Sequence, residues 1–304
     1  MSTLIEQAMQ RLERLRGAGV SPADTSAPER RTRKSPSAGP RAVGAVGPSK
    51  NDRPHGVDAS RAVTLNTDAM ALARIFPPGT GPAEHAGQFR MIKRPLIKNV
   101  ADLRNAGQPR ANLIMVTSAL AGEGKSFTAA NLAMSLATEL DHTVLLVDAD
   151  VARPSLGRML GFEPNEGLLD VLEGKVDLQE VLLATNIDKL TILPSGAPRP
   201  RATELLASDG MRALLEEMAS RYADRIIIFD SPPLLLTTEA SVLASHMGQI
   251  VMVVKADSTP QTAVQRALAS IASHPVRLMV LNQVNRKSLG GAGYGYAYGG
   301  SGAA

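Results

Sequence analysis

VTSALAGEGKSFTAANLAMSLA, residues 116–137, passes from an apolar run through a glycine-rich turn into a helical pattern. Gly122, Gly124, Lys125 and Ser126 form G-x-G-K-S at the junction, where a strand–loop–helix unit binds phosphate. Glycines let backbone N–H groups turn inward around a β-phosphate, and the helix N-terminus adds positive potential. Lys125 would reach the β- and γ-oxygens and Ser126 would ligate Mg2+, while Glu123 and Phe127 complete the GEGKSF run expected to surround the nucleotide. One position departs from G-x-x-x-x-G-K-[ST]: Ala119 stands where the first glycine belongs. Strand, loop and helix in that order predict nucleotide binding.

Working outward, β-rich apolar runs alternate with helical patterns: NLIMVTS (112–118), TVLLVD (143–148), LTILPS (190–195), RIIIFD (225–230), QIVMVVKA (249–256) and VRLMVLNQV (276–284). Continuous Val/Ile/Leu strands separated by helices predict an α/β fold, a doubly wound and mostly parallel sheet with helices on both faces. Ligands of such sheets gather at the carboxyl ends of the strands. Two of those ends are acidic, VLLVDADVARP with Asp148 and Asp150 and RIIIFDSPP with Asp230. A single strand-end carboxylate would be read as solvated, but three beside a phosphate loop suit Mg2+ coordination and proton transfer. The candidate catalytic residues are therefore Lys125, Asp148, Asp150 and Asp230, with Ser126, Asp148 and Asp230 as metal ligands and Asp148 or Asp150 as the base. Arg153 is read as touching phosphate or pairing with a carboxylate. Asn282, ending the last run, is read either as an adenine contact or as a turn former.

Composition narrows the function classes. With 44% hydrophobic and 20% charged residues and no tryptophan, the 304-residue chain is a globular protein with an aliphatic core and attached polar segments. It has no cysteine, so a disulfide framework or thiolate metal site is out, which suits the cytoplasm. No apolar run approaches the roughly 20 residues that span a bilayer. Residues 1–110 carry a net +9 and the remainder −5. That basic arm could favour an anionic surface, although a solvated linker explains it more simply. No zinc-finger spacing or aromatic–basic alternation indicates specific nucleic-acid binding. Residues 1–17 read as an amphipathic helix, 18–77 as a mostly disordered basic linker, 78–285 as the catalytic domain and 286–304 as a Gly/Tyr-rich tail. The five histidines, at 55, 85, 142, 246 and 274, are read as surface residues, and Tyr222 as packed. The other three of the four tyrosines, Tyr294, Tyr296 and Tyr298, sit in GAGYGYAYGGSGAA, a tail without aliphatic anchors that is expected to stay disordered.

The succession GEGKS, VLLVDADVARPSL, FDSPP, a strand ending VLN and a tyrosine-rich tail resembles the bacterial protein-tyrosine autokinases of exopolysaccharide loci, the BY-kinases. The resemblance runs over about residues 80–300. MSTLIEQAMQRLERL and RMIKRPLI further resemble the exosortase- and PEP-CTERM-associated branch. The resemblance implies a P-loop fold, ATP and Mg2+, and phosphorylation of Tyr294, Tyr296 and Tyr298 between neighbouring subunits of a homo-oligomer. It also implies a membrane chain-length-determinant (polysaccharide copolymerase) protein as partner, a tyrosine phosphatase, and a cytoplasmic protein held at the inner membrane through that partner. Lys125 and Ser126 would be Walker A residues, Asp148 and Asp150 the second Walker motif, and Asp230 the Walker B carboxylate. The family's E-x-x-R-x-x-R ring motif is replaced here by Gly87, Arg90 and Lys93, which keep two positive positions. A partition- or septum-type ATPase is the rival class, but its signature lysine is Leu120 here. A nucleotide-gated scaffold without kinase activity is the second alternative.

Overall fold

Runs such as LIMVTS and RIIIFD have no polar face, so they are stable as strands only where both sides of the sheet are covered. A computed structural model describes residues 61–163, 165–222 and 224–285 and shows that arrangement. The strands are β1 (Ala62–Val63), β2 (Leu113–Ser118), β3 (Thr143–Asp148), β4 (Leu183–Thr185), β5 (Leu190–Leu193), β6 (Arg225–Asp230), β7 (Gln249–Lys255) and β8 (Arg277–Asn282). The helices are α1 (Thr67–Leu72), α2 (Ala83–Asn105), α3 (Lys125–Leu136), α4 (Leu156–Leu160), α5 (Leu168–Leu172), α6 (Leu178–Val181), α7 (Ala202–Leu206), α8 (Asp209–Arg221), α9 (Thr238–Ser245) and α10 (Gln261–Ser270). The strands form one sheet in the order β1-β4-β5-β3-β6-β2-β7-β8. All neighbours are parallel except β4 and β5. Alternate residues of the central strands feed two cores. Met115, Val147, Phe229 and Met252 pack with α8, α9 and α10, whereas Val116, Leu146, Ile228 and Val251 pack with α2 and α3.

The register assembles the chemistry. Asp148 lies opposite Asp230 across β3 and β6, and Val116 of β2 lies opposite Asp230 on its other side. Both acidic strand ends therefore arrive beside the strand that enters the GEGKS turn, at the carboxyl edge of the sheet.

The fold begins earlier than the sequence texture indicates. Residues 61–77, read above as part of the linker, contribute β1 and α1 and bury Leu65, Met70 and Ile75. Asn66 caps α1 by accepting from the Asp68 and Ala69 N–H groups, and Gly161, at φ +75°, leaves the room that Asn66 needs. Met70→Ala should therefore destabilise the protein by about 2–5 kcal/mol. A melting temperature unchanged within about 2 °C would show that this segment lies outside the core. The histidine reading also needs correction. His274 is buried, with Nε2 2.9 Å from the Met247 carbonyl and Nδ1 accepting from the Val276 N–H, and His85 is half-buried among Phe76, Phe89 and Phe127. Tyr222 is packed in the core as expected, with the Arg225 guanidinium over its ring.

Candidate active site

The phosphate loop connects β2 to α3. Gly122 and Gly124 take φ values of +80° and +94°, which favour glycine, and a Cβ on Gly124 would lie 2.0 Å from the Asn282 side-chain nitrogen. Ala119, in the place of the first motif glycine, is fully buried. Leu120 packs against the core, so no cation is presented where the partition-type ATPases carry one. Glu123 is buried: its carboxylate accepts from the Leu120 N–H at 2.6 Å and from the Thr259 hydroxyl. Asn282 donates to the Glu123 carbonyl at 2.9 Å, so its amide braces the loop rather than closing a turn of its own. The Phe127 ring turns onto His85 and Phe89, leaving its backbone N–H, in the first turn of α3, as what it can offer a phosphate.

Lys125, the first residue of α3, points across the sheet edge. Its Nζ lies 2.5 Å from Asp150 Oδ2, 3.7 Å from Asp230 Oδ1 and 3.3 Å from Ser126 Oγ. Asp148 is held by its Oδ2, which accepts from the Ser155 and Leu156 N–H groups at 3.3 and 3.2 Å. Its Oδ1 is buried without a hydrogen-bond partner among the described residues, and Asp230, fully buried, has Ser126 and the Lys125 ammonium as its polar neighbours. Asp150 and Asp230 thus share one ammonium, with Asp148 beside Asp230 in the same buried site.

The electrostatics follow from that imbalance. Burial, then the neighbouring charges of Asp230 and Asp150, pushes the Asp148 carboxyl up from 3.8 to about 8. Burial lifts Asp230 to about 6, with Asp150 adding to the rise and Lys125 opposing it. Burial alone would lower Lys125, but the carboxylates of Asp230 and Asp150 outweigh it and hold the ammonium above its ordinary value. Excess negative charge with open oxygens fits a divalent cation, for which Ser126, Asp148 and Asp230 would be the protein ligands. No cluster of three or more acidic or histidine side chains forms a closed metal cage among the described residues. A Mg2+ here would complete its octahedron with phosphate oxygens and water.

Other expected residues fall elsewhere. Arg153 is exposed. Lys93, one of the two positions read as keeping a ring-contact charge, is buried. It is bound within the chain to the Ser135 carbonyl at 2.6 Å, the Thr138 hydroxyl at 2.9 Å and Glu139 at 2.7 Å, while Arg90 is exposed. The N-terminal helix reading, most of the linker, and Tyr294, Tyr296 and Tyr298 lie outside the described residues. Sequence reasoning missed Ser155, which helps to orient Asp148, and Thr259, which holds Glu123. Neither stands in a spacing that marks chemistry.

Residues 110–282 match the ParA family model, described as a NUBPL iron-transfer P-loop NTPase. The chain is 34% identical over 183 residues to the tyrosine-protein kinase YwqD of Bacillus subtilis, covering 60% of this chain and 76% of that one. It is 29% identical over 191 residues to the tyrosine-protein kinase wzc of Salmonella typhi, covering 62% of this chain but only 26% of that protein's length. The kinase domain of the Escherichia coli tyrosine kinase ETK shares the fold, with a TM-score of 0.58 and 24% identity over 80% of this chain and 89% of that one. The chain belongs to the ParA-type P-loop NTPases. Within that class the chain belongs to the bacterial tyrosine-protein kinases, the BY-kinase family.

Proposed function

We propose that this chain transfers the γ-phosphoryl group of ATP to Tyr294, Tyr296 and Tyr298 of a neighbouring copy, and so regulates exopolysaccharide synthesis or export. The observation that carries the chemistry is Lys125 held between Asp150 and Asp230 at the mouth of the glycine loop. Bound Mg2+, held by Ser126, Asp148 and Asp230, would supply charge neutralisation at the β- and γ-oxygens. Lys125 turns from Asp150 to the phosphates and balances the charge that builds up as the bond from the γ-phosphorus to the β-bridging oxygen breaks. The phenol oxygen attacks the γ-phosphorus from the opposite side, ADP leaves, and the phenol proton passes to Asp150. Asp150 suits the base role better than Asp148, because losing Lys125 frees its carboxylate, whereas Asp148 is tethered by two backbone N–H groups. Asn282 would meet the adenine.

Transfer within one chain is the second reading, and one observation favours it: the last strand ends at Asn282, already in contact with Glu123 of the same chain's phosphate loop. Tyr298 lies 13 residues beyond Asn285, and a random coil of that length spans roughly 20 Å. Mixing a Lys125→Met subunit that keeps its tyrosines with an active subunit whose Tyr294, Tyr296 and Tyr298 are all Phe separates the two. Label on the Lys125→Met subunit is expected. Its absence, with wild-type labelling independent of protein concentration, would establish transfer within one chain.

The proposed setting is the cytoplasmic face of the inner membrane. Among the described residues, no helix is long and apolar enough to cross a bilayer. A membrane chain-length-determinant protein would recruit the kinase through residues 1–16, and a tyrosine phosphatase would reset the tail. The likeness of residues 1–15 and 90–97 supports placement in the exosortase-associated branch.

A further inference from the structure

Gly122-Glu123-Gly124 puts a single side chain between two glycines, both at positive φ, in the loop that must hold its N–H groups in a fixed cradle. Glycine has the largest backbone freedom of any residue, so the loop needs holding; Asn282 braces it at the Glu123 carbonyl, and the central side chain supplies a second tie. That side chain is an anion, which works against binding a triphosphate through charge alone. It is nevertheless only 2% exposed, and among the described residues its partners are hydrogen-bond donors rather than a cation: the Leu120 N–H at the start of the loop and the Thr259 hydroxyl. Thr259 belongs to the β7–α10 connection. Its Oγ1 also accepts from the Lys255 N–H at 3.2 Å, and its own N–H donates to the Lys255 carbonyl at 3.2 Å. The Lys255–Thr259 turn is thus closed on itself at the carboxyl end of a buried strand, a rigid post to which the glycine loop is tied.

We propose that Thr259 is a positioning residue for phosphoryl transfer: through the Glu123 carboxylate it fixes the curvature of the phosphate loop before nucleotide arrives. The inference rests on the nucleotide reading above. Thr259 bonds to Glu123 and to the Lys255 backbone, away from Lys125 and the catalytic carboxylates, so its effect must pass through the loop. A carboxylate accepting two donors is held more firmly than a neutral acceptor would be, and small errors in the placement of reacting groups carry large rate penalties.

Thr259→Val keeps the shape of the side chain and removes the donor, whereas Thr259→Ser keeps the donor. In the full chain, MgATP affinity, phosphorylation rate, melting temperature and amide hydrogen exchange of the peptide covering residues 119–127 are measured for wild type and both variants. Thr259→Val is expected to speed exchange in that peptide without nucleotide, and to lower the phosphorylation rate at saturating MgATP by roughly ten- to a hundredfold. Thr259→Ser should restore both, with the melting temperatures of the two variants agreeing within about 2 °C. Wild-type exchange and rate in Thr259→Val would overturn the inference while leaving the nucleotide reading intact, as would a loss that Thr259→Ser fails to restore. Failure of the wild type to bind MgATP would overturn both.

Discussion

Lys125→Met is expected to abolish tail phosphorylation, by at least about a hundredfold, and to lower the melting temperature of the nucleotide-free protein. A loop lysine read from sequence alone leaves the fold untouched when removed. In the structure Lys125 is only 9% exposed and is the cation shared by Asp150 and Asp230, so its loss strands two buried carboxylates. Breaking a buried pair in this way typically costs about 3–5 kcal/mol, less whatever the carboxylates recover by taking up protons. Phosphate incorporation and thermal unfolding of the same preparation check both parts. Full activity would remove Lys125 from the mechanism, and an unchanged melting temperature would show that its ion pairs contribute nothing to the folded state.

Asp148→Asn should have opposite effects on stability and activity. The carboxyl of Asp148 is at about 8 in the folded protein against an ordinary 3.8, and that of Asp230 is at about 6. The folded state therefore holds these protons more tightly than the unfolded chain does. The stability they confer is complete below about pH 3.8 and is lost as pH rises through the folded values, in a window from about 4 to 8. Asp148→Asn lacks the charge that creates most of this penalty. At pH 9 it should melt several degrees above wild type, at about 2–4 °C per kcal/mol, and the difference should shrink towards pH 4. Its Mg2+-dependent phosphorylation should fall by an order of magnitude or more. A variant that melts below wild type at pH 9 would mean that Asp148 is stabilised as an anion by groups other than those described.

The sheet was legible because its six long strands are apolar on both faces and end at punctuated turns, and the phosphate loop because glycine, lysine and serine stand in a spacing tied to one backbone geometry. The acidic strand ends were legible as a group, and the register then placed Asp148 beside Asp230. What escaped was set by partners far away in sequence. β1 and β4, with two and three residues, are strands only because a neighbour pairs with them. The segment carrying Leu65, Met70 and Ile75 is apolar, with AMALARIF at 69–76, but it is a short run that adjoins a polar arm and is closed by Pro77 and Pro78, so it does not stand out as part of the domain. Lys93 looks like a surface charge until Ser135, Thr138 and Glu139 come round to receive it. Glu123 looks like one more loop residue until Thr259, 136 positions later, closes on it.

The most direct measurement is intact-mass and peptide mass spectrometry of the purified protein after incubation with ATP and Mg2+, run beside Lys125→Met. The account predicts phosphate on Tyr294, Tyr296 and Tyr298 in the wild type, each adding about −1.5 to −2 charges at neutral pH, and none on Lys125→Met incubated alone. ATP hydrolysed to ADP with all three tyrosines unmodified, or phosphate of equal amount on the Lys125→Met protein, would contradict it.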